Sequence, residues 1–136
     1  MASNINLKNI SIEQITADTI ESVANVDTSP KAVRWHGLLL AIKPLLSFEE
    51  MTRFVNSVMD ACFDEEHNIA IPEAIDFSIR VNVIVRYSNI TLPVSIEKQM
   101  QIVYGTDLYE TIMSHVSSSQ LNAIVKAIDL CTNHIL

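Results

Sequence analysis

Only two glycines, Gly37 and Gly105, occur in the 136 residues of this chain. Tight hairpins draw heavily on residues that tolerate positive φ, so a turn-rich all-β fold is disfavoured. Helices joined by polar connectors are the natural alternative. The stretch from Trp35 to Cys62 carries that reading furthest, with the only Trp, the longest apolar run and the clearest helix start. In Leu46-Ser47-Phe48-Glu49-Glu50-Met51, Ser47 takes the N-cap position and Glu50 sits at N3 to close a capping box. Leu46 and Met51 occupy the flanking hydrophobic-staple positions. Phe48, Met51, Val55, Val58 and Cys62 then follow at helical spacing, which predicts one apolar seam. The helix is expected to stop near Phe63, where Asp64-Glu65-Glu66-His67-Asn68 reads as an acidic loop.

The remaining elements follow from the same signals. Residues 1–31 form a polar, Asn/Ser/Thr-rich arm. Within it, Ser11-Ile12-Glu13-Gln14 fits a capping box, and Ile12, Ile15, Ile20 and Val23 lie roughly on one face of a short helix. Residues 25–31 read as a linker, punctuated by Pro30. Ala32 to Ile42, bounded by Pro30 and Pro44, is the best strand candidate. Its backbone needs a partner, which Asn4 to Asn9 or a strand from another subunit would supply. Pro72-Glu73 opens the next element at a tolerated first-turn position. From Phe77 to Tyr87 strand alternation and a helix that is apolar nearly all round compete; the Pro start and the scarcity of turns favour the helix. Ser95 caps a helix that Gly105 interrupts or kinks, with Asp107 to Glu110 leading into its continuation. Ser117 to Gln120 starts the last helix, whose Leu121, Ile124, Ile128, Cys131 and Ile135 form a second seam. The expected fold is mainly α (α+β): four or five helices in a small bundle with a short strand or hairpin near the N-terminus, residues 1–31 being the arm and 32–136 one globular domain.

Composition bounds the chemistry. Nine Lys and Arg stand against sixteen Asp and Glu, a formal charge of −7. Nucleic-acid binding depends on cationic contacts to phosphates, and no Lys/Arg cluster is present, so nucleic acid is not expected as a direct partner. The apolar run ending at Lys43 is too short to span a bilayer, and the N-terminus has no continuous apolar leader. On that basis Asn9-Ile10-Ser11 and Asn89-Ile90-Thr91 are chance matches to the glycosylation pattern. Hydrophobic residues make up 49% of the chain, with a mean hydropathy of +0.25. That is high for a chain of this size, and fits a large helical core together with apolar surface buried against other copies.

Candidate catalytic chemistry is sparse. His36, His67, His115 and His134 have no helical pairing, and no C-x-x-C or H-E-x-x-H occurs, so a zinc site is not expected. The acidic loop lacks the alternating ligands and central Gly of a calcium loop. Cys62 and Cys131 both fall on apolar seams, where a buried, reduced thiol is the expectation. There is no G-x-S-x-G elbow and no Gly-rich phosphate loop. No catalytic, metal-ligating or cofactor-binding residue is assigned. Arg80 and Arg86, inside an apolar element, are expected to pair with Asp76 or Glu73 or to reach a subunit interface, structural pairing being the plainer account. The interface candidates are the aromatic residues Trp35, Tyr104 and Tyr109 and the arm residues Ile12, Ile15 and Ile20. Core packing is the plainer account of Trp35, whereas Tyr104 and Tyr109 flank Gly105 and fit an exposed contact.

The order W-H-G at 35–37, L-S-F-E-E-M with F-V-N-S-V and C-F-D at 46–64, P-E-A-I-D-F at 72–77, Y-S-N-I-T-L-P at 87–93 and V-S-I-E-K-Q at 94–99 resembles short proteins encoded among the structural and assembly genes of tailed bacteriophages. The likeness runs from Val33 to the C-terminus and rests on packing motifs. It implies a non-enzymatic role in the virion or its assembly, as connector, tail or head component or assembly factor. Self-association and contacts with other phage proteins would serve that role, in the virion or in the host cytoplasm during assembly. The family offers no catalytic residues to carry over. The alternative expectation is a soluble phage-encoded binder that modulates a host protein through its acidic surface.

Overall fold

Side-chain caps set the starts of four helices, at Thr16, Ser47, Ser95 and Ser117. The computed structural model describes residue 8, residues 11–64 and residues 69–135. Among these it has six helices and two short antiparallel hairpins, a mainly α fold with the predicted strand pairing near the N-terminus. Helix α1 spans Ala17–Ala24, strands β1 and β2 span Lys31–Trp35 and Leu38–Ile42, and α2 spans Phe48–Cys62. The small strands β3 (Phe63–Asp64) and β4 (Ile69–Ala70) flank residues 65–68. Then come α3 (Pro72–Tyr87), α4 (Ile96–Gly105), α5 (Leu108–Met113) and α6 (Ser118–Ile135).

The capping box at Ser47 forms as predicted: Ser47 Oγ accepts from Glu50 N at 3.1 Å, and Glu50 Oε1 faces Ser47 N at 3.5 Å. Ser95 Oγ likewise accepts from Lys98 N, and Ser117 Oγ from Gln120 N. Pro72 occupies the first turn of α3, and residues 77–87 are helical. That helix is apolar nearly all round because α2, α4 and α5 surround it. The polar groups it buries are satisfied internally: Asn82 Nδ2 donates to Ser78 O at 2.8 Å, and Asn82 Oδ1 accepts from Arg86 Nε at 2.7 Å.

Four expectations are corrected. First, residues 11–16 are not helical; Thr16 caps α1, accepting from Thr19 N, and Ile15 and Ile20 take the staple positions. Second, Ala32 to Ile42 is a hairpin in which the chain pairs with itself, Trp35 opposite Leu38 and Lys31 opposite Ile42. His36 at φ 48° and Gly37 at φ 77° form its two-residue turn, the double positive φ that a type I′ turn requires. The pairing proposed for Asn4 to Asn9 falls outside the described residues, apart from Lys8. Third, the core row of α2 is Phe54, Val58 and Cys62, while Phe48 is 84% exposed. Phe48 and Phe54 both fit a three-four spacing, and only the direction of α3 and α6 chooses between them. Fourth, Cys131 is exposed, on the flank of the α6 row Leu121, Ile124 and Ile128. At Gly105 the chain breaks into two helices, α4 and α5.

The core gathers Leu40 and Ile42 from β2, the α2 and α6 rows, Val83, Ile84 and Tyr87 from α3, and Val103, Leu108 and Ile112 from α4 and α5. What holds these pieces in register is the connector 43–47 between β2 and α2. Its backbone meets partners at every turn: Lys43 N donates to Tyr87 O at 2.7 Å, and Ser117 N donates to Pro44 O at 2.9 Å. Gln120 completes the set. Its Oε1 accepts from Leu46 N and from Tyr87 Oη, both at 2.8 Å, and its Nε2 donates to Leu46 O at 2.9 Å. Burial, then the nearby Glu50 charge, push the Tyr87 hydroxyl up, so it stays a donor across the neutral range.

Gln120→Ala leaves Leu46 N, Leu46 O and Tyr87 Oη without this partner. An unsatisfied buried group costs about 1–3 kcal/mol, and three part-buried groups at the low end of that range give an expected total loss of about 3 kcal/mol. Urea unfolding will show it as a lower midpoint at unchanged slope. Tyr87→Phe, which spares the Leu46 bonds, is expected to cost only about 1 kcal/mol.

Acid stability has a separate, small contributor. Burial raises the Glu50 carboxyl, but the Lys43 ammonium at 3.1 Å and the Ser47 donors outweigh it, and the group ends below its ordinary value. A depressed folded pKa gives stability that is present above the usual carboxylate range and lost as pH falls through the folded value. Glu50→Gln should therefore flatten the acid limb of melting temperature against pH, by less than about 1 kcal/mol for so accessible a pair.

Candidate interaction surfaces

The sequence-predicted contact residues fall in three places. Ile12, Ile15 and Ile20 lie in the arm, which for residues 11–30 has every residue exposed. Helix α1 is closed at both ends by its own residues, with Thr16 at the start and Asn25 at φ 34° at the end, its N–H bonded to Glu21 O. Ala17, Ile20, Val23 and Ala24 share one side of it, and none is buried. Eight residues are too few for a helix to be stable by propensity alone, and among the described residues nothing buries this apolar side. Ile12, Ile15 and Val26 extend it on either side, all more than 60% exposed.

Trp35 is half-buried against the core, at the tip of the hairpin. Its Nε1 donates to Asp107 Oδ1 at 2.8 Å, tying the hairpin to the junction of α4 and α5. Asp107 begins α5 without capping it through its side chain; the carboxylate is used by the indole instead. Trp35 is thus an anchor inside the domain. Its neighbours Leu38 and Leu39 are the exposed apolar residues of the hairpin.

Tyr104 and Tyr109 come together around Arg80. The guanidinium lies 4.5 Å from the Tyr109 ring centroid and 5.3 Å from that of Tyr104, a double cation–π contact. Arg80 also pairs with Asp76 at 3.0 Å, as predicted, and approaches Glu110 at 3.8 Å. Tyr104 Oη donates to Asp76 at 2.7 Å, and its ring stacks on Phe77. Burial first, and then the bond to Asp76, push the Tyr104 hydroxyl up; burial raises that of Tyr109 against the opposing Arg80 charge. The cluster fastens α3 to α4 and α5. Of the two tyrosines, Tyr104 keeps half its surface exposed and Tyr109 is partly covered.

Other contact surfaces escape the sequence reading. Phe48, Met51 and Val55 of α2 and Ala123 and Ala127 of α6 line a groove of about 240 Å³. Val94 and Ile96, at the start of α4, are 97% and 65% exposed. Spacing cannot reveal these, because an apolar residue beside a cap fits a staple or an open surface equally well. Among the described residues no group of His, Cys, Asp and Glu is placed to hold a metal ion, and no helix is long and apolar enough to cross a membrane. Comparison with protein-family models, with curated proteins and with solved structures returned no match.

The two thiols should separate cleanly in reactivity. Burial pushes the Cys62 thiol up against a contact from Ser78, which lowers its thiolate fraction, while Cys131 is open to solvent. A disulfide reagent applied to the native chain is expected to modify Cys131 quickly and Cys62 only on unfolding. Cys131→Ser should remove the fast phase.

Proposed function

We propose that this chain is a non-enzymatic structural or assembly protein of a tailed bacteriophage, acting through self-association and contacts with other phage structural or assembly proteins. One observation carries the reading: every residue from 11 to 30 is exposed, with Ile12, Ile15, Ile20, Val23 and Val26 presented to solvent. Contiguous exposed apolar surface of this kind marks a protein contact, and an N-terminal arm suits lacing between subunits. The likeness of residue 33 onward to short phage structural and assembly proteins supports placing the contact in a virion or its assembly. The charge of −7 argues for protein partners over nucleic acid.

Light scattering over a range of concentrations tests this. The full chain is expected to gain mass with concentration, and removal of residues 1–30 to weaken association. Burying two or more Ile or Val side chains at roughly 1.5–3 kcal/mol each corresponds to a loss of about a hundredfold or more. The melting temperature of the shortened chain should move little, since surface changes stay within about 0.5 kcal/mol. A full chain that is monomeric at every concentration overturns self-association, and turns attention to the reading as a soluble binder of a host protein.

A further inference from the structure

The β1–β2 hairpin has two edges, and they are treated differently. In a two-residue hairpin the residues flanking the turn, Trp35 and Leu38, exchange hydrogen bonds, so Val33 with Leu40 and Lys31 with Ile42 do the same. The backbone groups of the intervening residues point outward. On β2 these are Leu39 and Ala41, and Asn89 occupies one group of each: its Oδ1 accepts from Ala41 N at 3.0 Å and its Nδ2 faces Leu39 O at 3.4 Å. On β1 they are Ala32 and Arg34, both exposed, and no partner for either backbone occurs among the described residues.

We propose that the open β1 edge is the pairing site for β1 of a second copy of this chain, antiparallel and centred on Val33. This rests on the self-association proposed above and adds to the arm a second contact of defined geometry. Three centres of symmetry are available to the strand. Centring on Ala32 sets Arg34 against Pro30, which has no N–H to give. Centring on Arg34 sets two guanidinium groups face to face and pushes Ala32 against the turn residue His36. Centring on Val33 avoids both. Ala32 and the partner's Arg34 then exchange N–H and C=O in each direction, and Val33 meets the partner's Val33. Lys31 falls opposite the partner's Trp35, a cation beside an indole. The two arginines remain only as diagonal neighbours, about 7–8 Å apart, within reach of screening by salt. The match is isologous, the same patch serving both copies.

Amide hydrogen exchange read residue by residue tests the assignment in the unmodified chain, comparing dilute protein with the associated species. Exchange at Ala32 and Arg34 is expected to slow about tenfold or more on association, while Val33, already bonded to β2, changes less. Ala32→Pro is the matching variant. It removes an outward N–H without breaking a bond to β2, and proline is tolerated on an edge; the hairpin should persist and association by this edge should be lost. An associated species in which Ala32 and Arg34 exchange as fast as in the monomer overturns the edge pairing and leaves self-association standing. So does undiminished association of a folded Ala32→Pro chain. A monomer at every concentration overturns both.

Discussion

One side-chain amide holds the parts of this molecule in register. Between the hairpin and α2 the chain crosses the end of the bundle without regular structure, and a buried crossing must find a partner for each backbone group. Gln120 meets both the donor and the acceptor of Leu46 and spends its second lone pair on the Tyr87 hydroxyl. The start of α2, the end of α3 and the first turn of α6 thereby share one set of bonds. Glutamate in its ionised form would lack the donor, and asparagine would fall short by a methylene. The neighbouring bonds Lys43 N to Tyr87 O and Ser117 N to Pro44 O bind the same crossing, so the amide and the backbone together align the core rows of three helices.

What the sequence discloses is local. Ser47 with Glu50, Ser95, Ser117 and Pro72 mark helix starts because a cap involves residues only a few positions apart. The pairing of Arg80 with Asp76 is legible for the same reason, one helical turn separating them. The hairpin turn is hidden because His36-Gly37 is not one of the Asn-Gly, Asp-Gly or Gly-Gly pairs that usually mark a type I′ turn. In the arm, Ser11 and Thr16 both offer caps, and the five-residue difference moves Ile12 and Ile15 off the helix. Phe48 and Phe54 present the same spacing, and only tertiary packing sends one inward.

The contact residues show the same division. That Ile12, Ile15 and Ile20 form an apolar stretch is readable, but that all three stay exposed is not. Trp35 is singled out by its rarity, yet its indole is committed to Asp107, far along the chain. Tyr104 and Tyr109 are drawn to Arg80 by a cation–π geometry that no spacing rule encodes. Surface function here depends on which apolar residues the fold leaves uncovered, and that is decided last, after every core position has been filled.

The amide of Asn89 has a consequence for how growth stops. A two-stranded ribbon open on both sides is a template that adds strands without limit, the usual origin of fibres from edge pairing. With Ala41 N and Leu39 O of β2 held by a side chain that imitates a neighbouring strand, β1 is the more open of the two edges. In the proposed pairing two copies spend that edge on each other, and the joined sheet ends at either side in a strand whose bonding groups are partly occupied. Growth through the hairpin is thereby disfavoured, and a larger architecture would draw on a different surface, such as the arm.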